Sequence, residues 1–168
     1  MSAFRSDQTE FEIAAIRPAD VPPLIALALD AGLSAWSTDD YEQESKRTDA
    51  IMLACRSERE GLIGFIIGRL IPGHIKGLEA EIYNIGVRPK FRQKGIGQML
   101  MQSFVSKCVT SSVHTIWLDV RETNESALRF YKAFGFRDAY RRPNFYADPS
   151  ESAIVMSIDL SSYARRKI

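Results

Sequence analysis

The stretch Glu81-Ile-Tyr-Asn-Ile-Gly-Val-Arg-Pro-Lys-Phe-Arg-Gln-Lys-Gly-Ile-Gly97 decides how this 168-residue chain folds. Glu81 to Val87 is a short apolar run rich in β-branched and aromatic residues, which predicts a strand, and Pro89 closes it because proline cannot donate to a ladder. Beyond it Gly97, Leu100, Met101, Phe104 and Cys108 recur at helical spacing, which predicts a helix with one buried face. Between strand and helix lies Arg92 to Gly97, with two glycines and two cations. The first N–H groups of a helix lack intrahelical partners and carry the positive end of its dipole, so a glycine-lined approach there makes an anion site, most naturally for phosphate. The same glycines also suit an ordinary tight turn. The spacing matches neither a Walker loop nor the three-glycine dinucleotide fingerprint.

Working outward, Glu12 to Arg17 reads as a first strand, and Val21 to Ala31 as a helix that Gly32 ends. Thr38 is a candidate cap for a charged helix to Arg47. Ile51 to Arg56 and Leu62 to Ile71 form a hairpin around Glu58 to Gly61. After the central helix, Ile116, Leu118 and Val120 alternate with Trp117, Asp119 and Arg121, the pattern of a strand with one apolar face. Thr123 or Asn124 caps a further helix that Gly135 terminates, and strands near Phe136 to Arg141 and Ala153 to Asp159 follow. This order predicts a single α/β (α+β) domain: a mixed sheet of about six to seven strands with helices on both faces. Residues 11–160 make the domain; 1–10 and 161–168 read as tails.

A formal net charge of +1 gives no overall field that would draw nucleic acid or a membrane surface, so any phosphate affinity has to be local. Cys55 and Cys108 fall in a predicted strand and helix with no partner motif, which suits buried thiols in a reducing compartment. No apolar run is long enough for a membrane helix and no leader is visible, so the expected location is cytoplasmic.

Three blocks carry a resemblance. Val-x-Pro-x-x-Arg-x-x-Gly-Ile-Gly, from Val87 to Gly97, resembles the acetyl-CoA motif of the GNAT superfamily of N-acetyltransferases. Trp117 to Phe136 is similar to that superfamily's later strand and helix, and Arg141 to Asp148 resembles a substrate-covering hairpin loop. With Ile-Tyr-Asn-Ile-Gly-Val, the blocks look most like the RimI-type branch, which acetylates N-terminal α-amines of ribosomal proteins, and its relatives. The resemblance implies acetyl-CoA as co-substrate and no metal. It implies that backbone of Ile85, Gly86 and Val87 holds the pantetheine arm, and that Gln93, Lys94, Gly95, Ile96, Gly97 and Gln98 take the pyrophosphate, with Arg92 and Lys94 as countercharge. Gly86 in a strand suits close approach of a ligand, or a bulge.

Tyr131, by spacing alone a core aromatic, becomes by resemblance the acid that protonates the departing thiolate. It shares a helical stripe with Asn124, Ala127 and Leu128, so a site at the helix start reaches it. Asn124 is read both as a cofactor contact and as a plain N-cap. For the base two carboxylates stay open. Asp119 stands where RimI-type enzymes carry glutamate, one methylene longer; Glu81 lies on the central strand and by alternation shares a face with Tyr83, Ile85 and Val87. Trp36 and Tyr146 are expected to line the acceptor. An α-amine, with a reference pKa near 8 against about 10.4 for lysine, is easier by roughly 3 kcal/mol to present neutral at pH 7, so a weak base suits it. The expected acceptor is a protein or peptide N-terminus, ribosomal proteins among them, approached by a monomer or homodimer. A small amine, a lysine side chain, or non-catalytic acyl-CoA binding are the alternatives.

Overall fold

The computed structural model describes residues 11–34, 36–74 and 77–164. The expected N-terminal tail and residues 165–168 lie outside the described residues; Ser161–Ala164 forms a helical turn. Seven strands, β1 (Phe11–Ala15), β2 (Ala50–Ser57), β3 (Gly61–Pro72), β4 (Leu78–Val87), β5 (Val113–Arg121), β6 (Arg137–Ala147) and β7 (Ser150–Asp159), form one sheet in the order β1-β2-β3-β4-β5-β7-β6. Every neighbouring pair is antiparallel except β4 and β5. That one parallel pair forces a crossover, and the helix α3 (Ile96–Thr110) supplies it.

Two apolar layers cover the sheet. On one face α3 and α4 (Glu125–Phe134) bury Leu100, Met101, Phe104, Cys108 and Tyr131 against Ile66, Ile82, Leu118 and Met156. On the other, α1 (Val21–Asp30) and α2 (Thr38–Ser45) bury Leu24, Leu27 and Tyr41 against Phe65 and Ile67. The expected mixed sheet with helices on both faces is what forms. The local signals hold at most ends: Gly135 takes a left-handed φ of 119° at the end of α4, and Asn124 caps its start. At α2 the cap is Ser37 rather than Thr38, because Ser37 and Asp40 satisfy one another's backbone N–H groups in a capping box.

Two irregularities in β4 position everything that follows. Ile67 of β3 faces Asn84 while Gly68 faces Ile82, so Tyr83 is an extra residue, a bulge. A bulge resets the two-residue alternation. Ala80 and Ile82 pack on the α3 face before it, and Ile85 and Val87 pack there after it. Glu81 therefore shares the α1/α2 face with Tyr83 but not with Ile85 and Val87, against the simple alternation. The second irregularity is where pairing stops. β4 and β5 are joined from Leu78/Val113 to Ile82/Leu118, whereas β4 continues to Val87 and β5 to Arg121. The two strands part there and leave an open wedge.

Candidate active site

The wedge exposes the β5-facing backbone edge of Tyr83 to Val87, since β3 pairs only the other edge. An edge with free N–H and C=O groups can hold an extended chain as an added strand. Immediately beyond it the loop folds back: Arg92 Nε donates to the Val87 carbonyl at 3.2 Å, and Phe91 is buried beneath Lys90 and Lys94, whose ammonium groups lie 5.2 Å from its ring. Gln93 at φ 60° and Gly95 at φ 80° then turn the backbone into α3. The first helical bond is Met99 N–H to the Gly95 carbonyl, so the N–H groups of Ile96, Gly97 and Gln98 point out of the helix start without intrahelical acceptors. Among the described residues no side chain caps this end. Left-handed turns followed by open helix amides make a concave donor nest, the arrangement that fits a diphosphate. A coenzyme with a diphosphate and an extended, amide-bearing arm fits nest and wedge together.

Gly86 proves to serve packing. A Cβ there would stand 2.8 Å from Phe65 and 3.2 Å from Leu33, on the α1 face, so the core by itself excludes a side chain. Gly97 is different: a Cβ would meet Phe130 at 3.4 Å and Val87 at 4.0 Å, both ordinary contacts.

Two faces of the sheet meet in the wedge. On the α3/α4 face stands Tyr131, 8% exposed, edge-on to Phe130 and Phe136. Burial, and after it the neighbouring Tyr146, raises its hydroxyl above the ordinary tyrosine range, so it keeps its proton at any physiological pH. Asn124 uses its side-chain oxygen on the Ala127 N–H at 3.1 Å, which leaves its amide NH2 as a donor at the start of α4.

On the α1/α2 face stand Glu81, Tyr83, Trp117, Asp119 and Arg121. Trp36 packs 5.4 Å from Tyr41 and 6.3 Å from Tyr83, a wall beside the strand. The Glu81 carboxylate has no hydrogen bond or ion pair among the described residues. Burial first, then Asp119, raises its pKa above the ordinary 4.5, with Arg142 and Arg69 opposing. Asp119 is paired, with Arg142 Nη1 3.2 Å from its Oδ2. The segment Arg141 to Asp148, expected as a loop, is mostly strand: β6 runs to Ala147, with Pro143 to Phe145 bulging opposite Ser152. Tyr146 lies under the Arg121 guanidinium at 4.1 Å, and burial, then Asp119, raises its hydroxyl.

The structure brings Asp119 close to Glu81 and to Tyr146, and Tyr146 close to Tyr131, while Trp36 reaches this group only through Tyr83 and Asn124 stands at the start of α4. Sequence reading missed Arg142 and Tyr83. Arg142 lies inside a block already singled out, but its contact with Asp119 spans β7 and has no local signature. Cys55 and Cys108 are buried free thiols outside the opening, pushed up by burial to about 11 and about 12.

A parallel strand pair that splays beside a helix start whose amides lack a side-chain cap, with a buried tyrosine on one face and carboxylates on the other, places the chain among mixed-sheet α/β domains. The chain belongs to the acetyltransferase (GNAT) family, whose description matches residues 21–136. It is 39% identical over 85 residues to the [ribosomal protein bS18]-alanine N-acetyltransferase of Salmonella typhimurium, a match covering 49% of this chain and only 57% of that enzyme. The same-named enzyme of Haemophilus influenzae is 30% identical over 149 residues, 86% of this chain and 96% of that one. The crystal structure of the Escherichia coli ribosomal-protein-S18-alanine N-acetyltransferase superposes with a TM-score of 0.77 at 25% identity, covering 90% of this chain and 94% of its own.

Proposed function

We propose that the chain transfers an acetyl group from acetyl-CoA to the α-amine of a protein N-terminus, with a ribosomal protein beginning in alanine as the acceptor its relatives' names suggest. The observation that carries this is the wedge itself, open to both faces of the sheet, with a proton donor on one and a free carboxylate on the other. Bound along β4 with its diphosphate on the nest, acetyl-CoA would supply an activated acetyl thioester. Ile96, Gly97 and Gln98 N–H groups bind the phosphates, Ile85 to Val87 backbone holds the arm, and the Asn124 amide adds a donor. Lys94 and the unused nitrogens of Arg92 supply countercharge.

The acceptor amine enters from the α1/α2 face, between Trp36 and Tyr146. Glu81 takes its proton: a carboxylate of raised pKa is a better base than an exposed one, and α-ammonium is acidic enough for it. Tyr131 gives a proton to the sulfur as the C–S bond breaks and the C–N bond forms. The balance closes, because an ammonium that becomes an amide loses two protons: one leaves through Glu81 to solvent, and the second, lost from nitrogen as the intermediate collapses, replaces the one Tyr131 gave to sulfur. The reduced, inert Cys55 and Cys108 suit a cytoplasmic setting.

Peptides with free N-termini, the same peptides N-blocked but carrying lysine, and small polyamines would be incubated with acetyl-CoA and read by mass spectrometry. Acetylation confined to free α-amines supports the reading. Acetylation of lysine or polyamine alone overturns it.

A further inference from the structure

We propose that Arg142 is a positioning residue of the acceptor site: it holds Asp119 across β7 and so leaves Glu81 as the carboxylate free to meet the amine. The proposal rests on the reading of the wedge as an acetyl-transfer site. Its ground is a built geometry. Arg121, Ala153 and Arg142 stand in one cross-strand row of β5, β7 and β6, so the two arginines flank a fully buried alanine. Each rests on an aromatic ring of β6, Arg142 on Phe145 in the bulge at 4.0 Å and Arg121 on Tyr146 just past it at 4.1 Å. Arg121 is committed to Glu151 at 3.2 Å, and Arg142 reaches Asp119, with 3.2 Å to Oδ2 and 3.5 Å to Oδ1. A guanidinium seated on a ring and pointed at a carboxylate loses little freedom in making the pair.

The consequence falls on Glu81. It faces Arg69 from β3, Tyr83 on its own strand, Asp119 from β5 and Arg142 from β6. Two neighbouring carboxylates resist joint ionisation, and a cation shared between them relieves it. Without Arg142, the Asp119 charge would bear on Glu81 unopposed except by Arg69, and Glu81 would hold its proton to higher pH.

The test is a carboxyl-carbon NMR titration of protein labelled at glutamate, with the Glu81 signal assigned by Glu81→Gln, comparing wild type, Arg142→Gln and Arg142→Lys. The Glu81 midpoint is expected to rise by about half a pH unit or more in Arg142→Gln and to stay near wild type in Arg142→Lys. The acid limb of kcat/KM should move with it. An unchanged Glu81 midpoint in folded Arg142→Gln overturns the proposal whatever the transfer assay shows. Absence of transfer by the wild type, read separately, would instead remove the functional reading on which Glu81 is a base.

Discussion

Ile82 stands opposite Leu118, and past that pair β4 and β5 no longer run together. All the chemistry assigned to this chain lies in the space so opened. The parting follows from sequence-level causes: Tyr83 is inserted as a bulge directly after Ile82, and a bulge bends its strand and sharpens its twist. On the far side β5 stays in unbroken register with β7 from Thr115 to Arg121.

Tyr131→Phe removes only a hydroxyl from a ring already packed by Phe130 and Phe136. Turnover is expected to fall about 100-fold, with coenzyme affinity unchanged, measured by steady-state kinetics beside calorimetric titration. An unchanged kcat would remove Tyr131 as the acid.

Glu81→Gln and Asp119→Asn separate the two carboxylates. Glu81→Gln is expected to lower kcat/KM about 100-fold and abolish the acid limb of its pH profile, while Asp119→Asn keeps a limb. The reverse ranking would make Asp119 the base. Stability gives an independent sign. Because folding raises the Glu81 pKa, the folded state binds more protons than the unfolded chain above pH 4.5, so Glu81 contributes most at low pH and that contribution is lost as pH rises through the folded value. Glu81→Gln should therefore melt higher than wild type at pH 7 to 8 in calorimetric scans.

Much of this was legible from the chain alone, and the failures have one origin. The Arg92–Gly97 loop, the α3 stripe and the Asn124 and Gly135 ends are local, set by residues within a turn of one another. The face of Glu81 was misread beyond Tyr83 because strict alternation cannot register an inserted residue, which only the partner strand reveals. The packing role of Gly86 was not legible because its neighbours Phe65 and Leu33 come from elsewhere in the chain. The Arg142–Asp119 pair is likewise long-range.

Gly86→Ala tests the packing account. With Phe65 2.8 Å from the new Cβ, the substitution should cost about 1–3 kcal/mol in denaturant unfolding and lower catalysis only through stability. A variant as stable as wild type but unable to bind coenzyme would restore the ligand-approach explanation.

Asp20 offers a pH probe remote from the site. Burial alone would raise its carboxyl, but hydrogen bonds from Arg56 and from the Arg17 backbone N–H, the latter at 2.6 Å, outweigh that and hold it at about 2. The contribution is therefore present above the unfolded value of 3.8 and lost as pH falls from there through 2. Asp20→Asn should cost about 2 kcal/mol at pH 7, and the gap from wild type should close in that acid window.

The central claim is that the amides opening α3 and the free edge of β4 form one coenzyme site. Isothermal titration of the protein with acetyl-CoA tests it most directly. One acetyl-CoA per chain is predicted, with affinity weakened by added salt because phosphate contacts are electrostatic. The absence of any binding heat with acetyl-CoA or CoA across a range of temperatures would contradict it.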